Sequence, residues 1–154
     1  ETLLGKLSDR FGCQAIVASL DYVYMTDEFW DSPRACVMSN CGKTQQIWVS
    51  QSLPYPPVMW AKLLESMGVG EILLTDIERE GMMHGYDLPM IKQISEAVSI
   101  PVIAHGGCGN YNHMLDAINA GADAVAAGSV FQFTDNTPRG AAKFLFEHNV
   151  EVRL

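Results

Sequence analysis

Residues 100–109, with the sequence Ile-Pro-Val-Ile-Ala-His-Gly-Gly-Cys-Gly, decide how this chain folds. The apolar residues after Pro101 predict a short buried strand, which leads directly into three glycines within four positions. Residues 124–130, Ala-Val-Ala-Ala-Gly-Ser-Val, repeat this arrangement with a second buried strand that ends in Gly-Ser. Two adjacent parallel strands that both end in small residues leave backbone N–H groups uncovered by side chains at the carboxyl end of the sheet.

Uncovered backbone amides at the carboxyl end of a sheet can bind a phosphate group. A short helix that begins near Ser129 directs its positive N-terminal end to the same place. In a (β/α)8 barrel, the loops after the seventh and eighth strands form such a site. We therefore predict a phosphate site made by two pairs of residues, Gly106 with Gly107 and Gly128 with Ser129. Tight turns without a ligand also account for such glycines, and their spacing does not match the Gly-x-Gly-x-x-Gly fingerprint of dinucleotide-binding folds.

The composition is that of one globular domain, and we expect residues 1–154 to form a single unit. Hydrophobic residues make up 48% of the sequence and charged residues 18%, which is typical of a chain with a packed core. The net charge of −8 argues against nucleic acid or an anionic membrane as a partner. No apolar run approaches the roughly 18 residues of a membrane helix. We therefore expect a cytoplasmic location.

The cysteines and histidines show no metal-ligand spacing. Cysteines stand at positions 13, 36, 41 and 108 without a Cys-x-x-Cys pair, and reduced thiols are the default in a cytoplasmic chain. The histidines are scattered, without His-x-x-x-His spacing. We expect no metal and no cofactor. We also expect solvated or structural roles for His84, His113 and His148, and we expect Glu78 and Arg79 to lie in a solvated loop.

Alternating strand and helix patterns organise the chain as four β-α units of a parallel α/β fold. Strands are predicted at residues 14–20, 71–75, 101–104 and 123–127. Helices are predicted to end at residue 10 and to cover residues 58–67, 88–98, 111–120 and 138–148, with Asp87 as an N-cap. Residues 22–56 are predicted to be irregular, with weak alternation at 35–39 and 45–50 that fits either a long loop or a hairpin turning at residues 40–43.

Four β-α units are half of a (β/α)8 TIM barrel, which usually needs about 250 residues. Four parallel strands alone leave two unpaired edges and expose the inner face of the sheet. That face is expected to carry Ile16, Ala18, Leu73, Val102 and Ile103 or their alternates. We therefore expect the chain to be a fragment, the C-terminal half of a barrel, or part of an assembly of halves. For the chain alone, we expect a homodimer or a larger homo-oligomer.

Polar residues at the ends of the predicted strands are the candidates for chemistry. Asp21 follows the first strand, where a carboxylate either lies at the solvated mouth of a barrel or caps the strand. Glu80 follows the second strand, and two nearby carboxylates can act as acid and base because their proximity separates their pKa values. Thr75 either donates a hydroxyl to substrate or caps its strand. His105 either contacts phosphate or substrate, or it is a polar residue at the strand end without a functional role.

These segments together resemble the C-terminal half of the cyclase subunit of imidazole glycerol phosphate synthases. The resemblance runs in unbroken order over nearly the whole chain. The matching segments are Phe11-Gly-x-Gln14, the strand that ends in Asp21, Gly70-Glu-Ile-Leu-Leu-Thr75 with the acidic-Arg-acidic-Gly sequence after it, Gly85-Tyr-Asp87, Pro101-Val-Ile-Ala-His-Gly-Gly107, Gly121-Ala-Asp-Ala124 and Asn149-Val-Glu-Val-Arg153.

The resemblance implies a lyase of histidine biosynthesis that takes ammonia from a glutamine amidotransferase partner at the lower face of its barrel. At the upper face, the ammonia attacks a bisphosphorylated ribulosyl-formimino aminoimidazole carboxamide ribonucleotide. Lyase and cyclisation steps then release imidazole glycerol phosphate and an aminoimidazole carboxamide ribotide. Aspartates on the first and fifth strands serve as acid and base. Asp21 matches the fifth-strand residue, and the first-strand residue is not in this sequence, so we expect this half alone to be inactive. The residues that match the family's phosphate site are Gly106, Gly107, Gly128 and Ser129.

Several departures from the family pattern leave the substrate open. Family members usually carry Ile-Asp-Arg-Asp-Gly-Thr where this chain has Ile77-Glu-Arg-Glu-Gly-Met82, and Ser or Cys often stands in place of His105. Tyr22-Val-Tyr24 replaces an expected basic residue. The loop around Glu80 and the segment Phe133-Thr-Asp-Asn-Thr-Pro138 resemble a paralogous group that supports amidation of sugars in surface polysaccharides. A third alternative, of another class, is a non-catalytic half-barrel module that binds phosphate.

Overall fold

The computed structural model describes residues 3–25, 34–39, 44–45 and 56–152. Helices and strands alternate along most of the described chain. In chain order they are α1 (Leu3–Phe11), β1 (Val17–Met25), β2 (Arg34–Ser39), β3 (Thr44–Gln45), α2 (Pro57–Ser66), β4 (Glu71–Asp76), α3 (Leu88–Ser95), β5 (Val102–His105), α4 (Tyr111–Asn119), β6 (Ala124–Val125), α5 (Ser129–Gln132) and α6 (Pro138–Glu147), with a 3-10 turn at Cys13–Ala15.

The strands form one six-stranded sheet in the order β3-β2-β1-β4-β5-β6. Strands β1, β4, β5 and β6 run parallel to one another, whereas β2 pairs antiparallel with both β1 and β3. Helices α2, α3 and α4 connect the successive parallel strands. This arrangement confirms the predicted α/β fold with the β-α units of a partial barrel, and the sheet is open.

Alternate residues of the parallel strands face the helices and form the core. Leu20, Leu74 and Ala104 are aligned across β1, β4 and β5, and each is at most 1% exposed. The buried helix residues that complete this core are Ala61 and Leu64 of α2, Met90, Ile91 and Ile94 of α3, and Met114 and Ala117 of α4. The helices are therefore held on one face of the sheet.

The residues between the core positions face the other side of the sheet, which we call the inner face. Ser19, Leu73 and Ile103 are aligned there and remain partly or fully exposed. Leu73 and Ile103 thus lie on the inner face as expected, whereas Ala18 and Val102 lie on the helix-covered face. The expectation for those two is wrong because side chains alternate along a strand, and both align with the buried Ile72.

Strand β1 differs from its prediction at both ends. It begins at Val17 rather than at residue 14, because residues 13–15 form the 3-10 turn. It continues to Met25, because β2 pairs with residues 21–25. The parallel pairing with β4 ends earlier, at Tyr22. The irregular structure predicted from residue 22 is therefore wrong for residues 22–25. Strands β2 and β3 confirm a hairpin, and its predicted turn at residues 40–43 lies outside the described residues.

Side chains cap the helices that follow the parallel strands. The carboxylate of Asp87 accepts a 3.2 Å hydrogen bond from the amide of Met90, which confirms the predicted N-cap of α3. Asn110 and Thr137 cap α4 and α6 in the same way. These caps fix where each loop at the carboxyl end of the sheet must stop. In the part of the chain that the structure describes, no helix is long and apolar enough to span a bilayer.

Two edges of the parallel sheet are unpaired within the described residues. One is the outer side of β6, and the other is the side of residues 17–20 in β1 that faces away from β4. Each edge borders a cleft. The cleft beside β1 is lined by α1 and residues 15–17, and the cleft beside β6 is lined largely by apolar residues of α4 and α6. The sheet therefore has an open edge, with apolar surface next to it, on both sides.

Candidate functional site

Three polar residues lie side by side at the carboxyl ends of the parallel strands. The strand register aligns Asp21 of β1 with Thr75 of β4, and Thr75 with His105 of β5. Aligned residues of neighbouring strands point to the same face, here the inner face. Because neighbouring strands are about 4.8 Å apart, this polar row extends over roughly 10 Å from the first residue to the last.

Asp21 is the carboxylate of the polar row. It lies within β1 rather than at its end as predicted, but at the level where the parallel pairing with β4 stops. Its side chain is half-buried and accepts a 2.7 Å hydrogen bond from the hydroxyl of Ser19. A carboxylate has about four lone-pair sites, so further acceptor positions remain for a ligand. Asp21 is thereby equipped to exchange a proton with a molecule on the inner face.

His105 connects Thr75 to Glu80. The hydroxyl of Thr75 lies 3.2 Å from Nδ1 of His105, and Nε2 of the same ring lies 3.5 Å from a carboxylate oxygen of Glu80. Since an ionised carboxylate only accepts hydrogen bonds, a neutral His105 directs its proton-bearing Nε2 toward Glu80. Nδ1 then accepts from the hydroxyl of Thr75, so the ring of His105 links the side chains of Thr75 and Glu80.

Glu80 therefore approaches His105 rather than Asp21. Within the described residues, no contact joins the carboxylates of Asp21 and Glu80, and Thr75 and His105 occupy the row beyond Asp21. The predicted acid–base pair of Asp21 and Glu80 stays a prediction. Thr75 is a member of the polar row, and its predicted role as a hydroxyl donor to phosphate or substrate stays a prediction.

Gly106 and Gly107, the first half of the predicted phosphate site, are packed tightly against the loop that follows β4. Their φ angles of 96° and 97° lie in the left-handed region that favours glycine. A Cβ on Gly106 would lie 2.5 Å from the carbonyl oxygen of Asp76, and one on Gly107 would collide with the carbonyl oxygen of Gly85. The carbonyl of Gly107 also accepts a 2.7 Å hydrogen bond from the amide of Gly85. Space and conformation both require glycine at these two positions.

Gly128 and Ser129, the second half of the predicted site, are open by comparison. Gly128 has a φ of −121°, and a Cβ there would meet no atom within 4 Å. Ser129 is the first residue of α5. Among the described residues, the backbone amides of Gly107 and Ser129 meet no acceptor. We call residues 106–107 and 128–129 the glycine rim, and its free amides are available to the oxygens of an anion.

The loop after β4, residues 77–87, rests on a buried carboxylate that the sequence analysis missed. Asp76 is 2% exposed, and its Oδ1 accepts hydrogen bonds from the amides of Glu78 and Arg79. Its Oδ2 lies 3.2 Å from Nε of Arg79. Burial raises the pKa of Asp76, and the backbone amides and the guanidinium oppose that rise. Glu78 is exposed as expected. Arg79 also remains 42% exposed, and its contacts with Asp76 and Gly85 were not predicted. An Asp at a strand end with an Arg three positions later was the available signal.

A second cluster ties β1 to the start of α3. The hydroxyls of Tyr22 and Tyr24 both donate to Oδ2 of Asp87, over 3.0 and 2.8 Å. Burial raises the pKa of both tyrosines, and the neighbouring Asp87 raises it further, so both remain donors. From the sequence, Asp87 was predicted only as a helix cap. The alternation Tyr-Val-Tyr was the signal for this cluster, because it places both rings on one face of β1.

The remaining histidines and cysteines take no part in the site. His113 and His148 contact main-chain groups close to them in sequence, and His84 is exposed, as expected. Across the described ranges, no group of three or more His, Cys, Asp or Glu side chains is placed to hold a metal ion. Cys13 and Cys108 are free thiols, and Cys41 lies outside the described residues.

Comparison with known proteins finds relatives along nearly the whole chain. Residues 1–137 match the family described as histidine biosynthesis protein. Over 153 residues the chain is 37% identical to the imidazole glycerol phosphate synthase subunit HisF of Chlorobium phaeobacteroides, a match that covers 99% of this chain and 56% of that relative. The HisF subunits of Chlorobaculum parvum and Chlorobium limicola are 37% and 35% identical, with the same shares covered. The chain therefore spans about half the length of the curated relatives it matches.

Proposed function

Because this chain belongs to the histidine biosynthesis protein family, we propose that it supplies the C-terminal half of the cyclase subunit of an imidazole glycerol phosphate synthase. One observation carries the proposal: the polar row and the glycine rim follow the same, carboxyl, ends of the parallel strands. Barrel enzymes place both their catalytic groups and their phosphate sites at this end. One phosphorylated ligand can then contact a carboxylate and free amides together.

In the proposed reaction, ammonia from a glutamine amidotransferase partner attacks the ribulosyl-formimino substrate, and Asp21 exchanges the proton that the attack and the ring closure require. A second carboxylate, which the family resemblance assigns to the first strand, is not in this sequence. We therefore propose that these residues alone do not turn over. Glu80 acts indirectly: its carboxylate contacts the ring of His105, and that ring contacts the hydroxyl of Thr75.

The glycine rim is proposed to bind one phosphate of the substrate. The amides of Gly107 and Ser129 donate to the phosphate oxygens, and the hydroxyl of Ser129 adds a donor. This kind of binding needs no cluster of basic side chains, because the partial charges of the amides act over a short distance. A protein with a net charge of −8 can therefore still bind a phosphate dianion at this place.

The proposed function is tested by assaying the full-length protein with an ammonium salt and the ribulosyl substrate. Asp21→Asn removes the proton-exchanging group but keeps the shape of the side chain, so turnover is expected to fall about 10²- to 10⁴-fold. Asp116→Asn is the matched control, because it makes the same chemical change at an exposed position of α4. Turnover by the wild-type protein no greater than that of Asp21→Asn would overturn the proposal.

A second candidate, amidation of a surface-polysaccharide sugar, is favoured by the contact between Glu80 and His105. Both positions depart from the usual pattern of the cyclase family, and together they change the groups that a ligand meets beside Thr75. The genome neighbourhood separates the two candidates. Histidine-biosynthesis genes next to the gene for this protein support the first, and polysaccharide genes support the second.

We propose that the two open sheet edges are covered either by further β-α units or by a second copy of this chain. Unpaired parallel edges next to apolar clefts favour association. For residues 1–154 alone, this predicts a dimer or a larger assembly in sedimentation experiments at micromolar concentration. A compact monomer would overturn that expectation, and cyclase activity of residues 1–154 alone would exclude both the inactive half and the non-catalytic phosphate-binding module.

A further inference from the structure

Arg79 bridges two parts of the β4–α3 loop, and it does so directly beside the glycine rim. Its Nε lies 3.2 Å from Oδ2 of the buried Asp76, and one terminal nitrogen donates to the carbonyl of Gly85 over 3.3 Å. Its Cβ lies 3.0 Å from the place that a Cβ on Gly107 would occupy. The side chain is 42% exposed, so this geometry is held by its partners rather than by deep burial.

Gly85 transmits this geometry to the rim. Its carbonyl is held by Arg79, and its amide donates the 2.7 Å hydrogen bond to the carbonyl of Gly107. A trans peptide directs its C=O and N–H to opposite sides. With the carbonyl of Gly107 turned toward Gly85, the N–H of Cys108 points away from the loop, and among the described residues it meets no acceptor. The loop thereby sets the orientation of the peptide between Gly107 and Cys108, whose N–H is a further free amide beside the glycine rim.

We propose that Arg79 is a positioning residue for phosphate binding: its guanidinium joins Asp76 to Gly85 and so fixes the peptide after Gly107, which keeps the N–H of Cys108 free for an anion beside the rim amides. The proposal rests on the phosphate site of the proposed function and adds a residue to it that does not itself touch the ligand. Asp76 neutralises the guanidinium at close range, so the fixed two-point geometry matters more than the charge.

Two substitutions separate geometry from charge. Arg79→Lys keeps the positive charge but loses the planar fork that reaches Asp76 and Gly85 together. Arg79→Gln removes the charge as well. Lys92→Gln is the control for charge, because Lys92 is exposed on α3 and its only ion-pair partner there is the exposed Glu96.

The experiment measures the affinity of the full-length protein for inorganic phosphate, together with kcat and KM for the phosphorylated substrate. We expect both Arg79 variants to bind phosphate roughly tenfold more weakly, as the loss of a charge-assisted hydrogen bond implies. KM should rise with little change in kcat, a division that general loss of folded protein would not produce. Lys92→Gln should match the wild-type protein. If Arg79→Gln does not fold, Arg79→Lys carries the test.

Three results would overturn the inference in distinguishable ways. Wild-type phosphate affinity in both Arg79 variants would overturn the role of Arg79 and leave the glycine rim standing. Full affinity in Arg79→Lys with loss in Arg79→Gln would show that charge, not positioning, is what matters. Failure of the wild-type protein to bind inorganic phosphate would overturn the rim itself, and the role of Arg79 with it.

Discussion

The two halves of the glycine rim look alike in the sequence and differ in the structure. Gly106 and Gly107 have positive φ angles, and the backbone of the β4–α3 loop fills the space where a side chain would begin. Gly128 has a negative φ and open space around its Cα. The first half is therefore fixed by the packing of a neighbouring loop, whereas the second half is free of such packing.

This difference separates two reasons for a glycine. At Gly107 the fold itself requires the residue, because a loop carbonyl and a guanidinium-bearing side chain lie against it. At Gly128 the described structure places no such demand, so packing does not explain this glycine, and its proposed role is in ligand binding. Substitutions at the first half should therefore affect stability, and those at the second half should affect ligand binding.

The largest expected effect tests this contrast directly. Gly107→Ala should lower the free energy of unfolding by about 3 kcal/mol, because the left-handed backbone is strained with a Cβ and the new atom collides with the carbonyl of Gly85. Gly128→Ala should change it by less than about 0.5 kcal/mol. Urea unfolding of the two variants measures both values. Equal losses would break the comparison.

An intermediate effect tests whether the packed half depends on the anchoring of its loop. The β4–α3 loop ends at Asp87, which caps α3 and accepts both tyrosine hydroxyls. Asp87→Ala should cost about 2 kcal/mol in the free energy of unfolding, since the cap and these hydrogen bonds are lost together. Asp87→Asn should cost less, because Asn is also a good N-cap. Urea unfolding compares the two, and equal costs would show that the tyrosine hydrogen bonds dominate over the cap.

The smallest effect belongs to the open half. Ser129→Ala should leave the free energy of unfolding unchanged and weaken the binding of inorganic phosphate by about 0.5–1.5 kcal/mol, the value of one hydrogen bond. Ser66→Ala is a control, because the Ser66 hydroxyl donates to a carbonyl of its own helix. A titration with inorganic phosphate measures both variants. Unchanged affinity in Ser129→Ala would remove that hydroxyl from the site.

Local patterns in the sequence were enough to predict most of the parallel fold. The apolar runs before Thr75 and His105 predicted β4 and β5, and Asp87 marked the start of α3, because these signals depend on residues within a few positions of one another. The extension of β1 to Met25 was not predictable in this way. It depends on pairing with β2, whose partner residues lie 9 to 17 positions away along the chain.

The same distinction between local signals and distant partners applies to the candidate site. The rim glycines and the polar row follow from strand ends, which the sequence marks. The partners of those residues do not: Gly107 meets Gly85, and His105 meets Glu80, only after the β4–α3 loop folds back over β5. The contacts of Arg79 were missed for this reason, because a charged residue in a polar loop gives no local sign of the backbone carbonyl that it will contact.

Thr75 and Asp76 are consecutive residues at the end of β4, yet the first belongs to the polar row and the second supports the loop on the opposite face. Because side chains alternate along the strand, the end of β4 supports two separate groups of residues, the polar row on one face and the β4–α3 loop on the other. A different loop can be grafted after Asp76 without disturbing Thr75, provided that the graft brings its own amides and a guanidinium to that carboxylate. An insertion of one residue within β4 would exchange the two roles and disrupt both the polar row and the β4–α3 loop. Sequence variation is therefore expected in the loop and not in the strand.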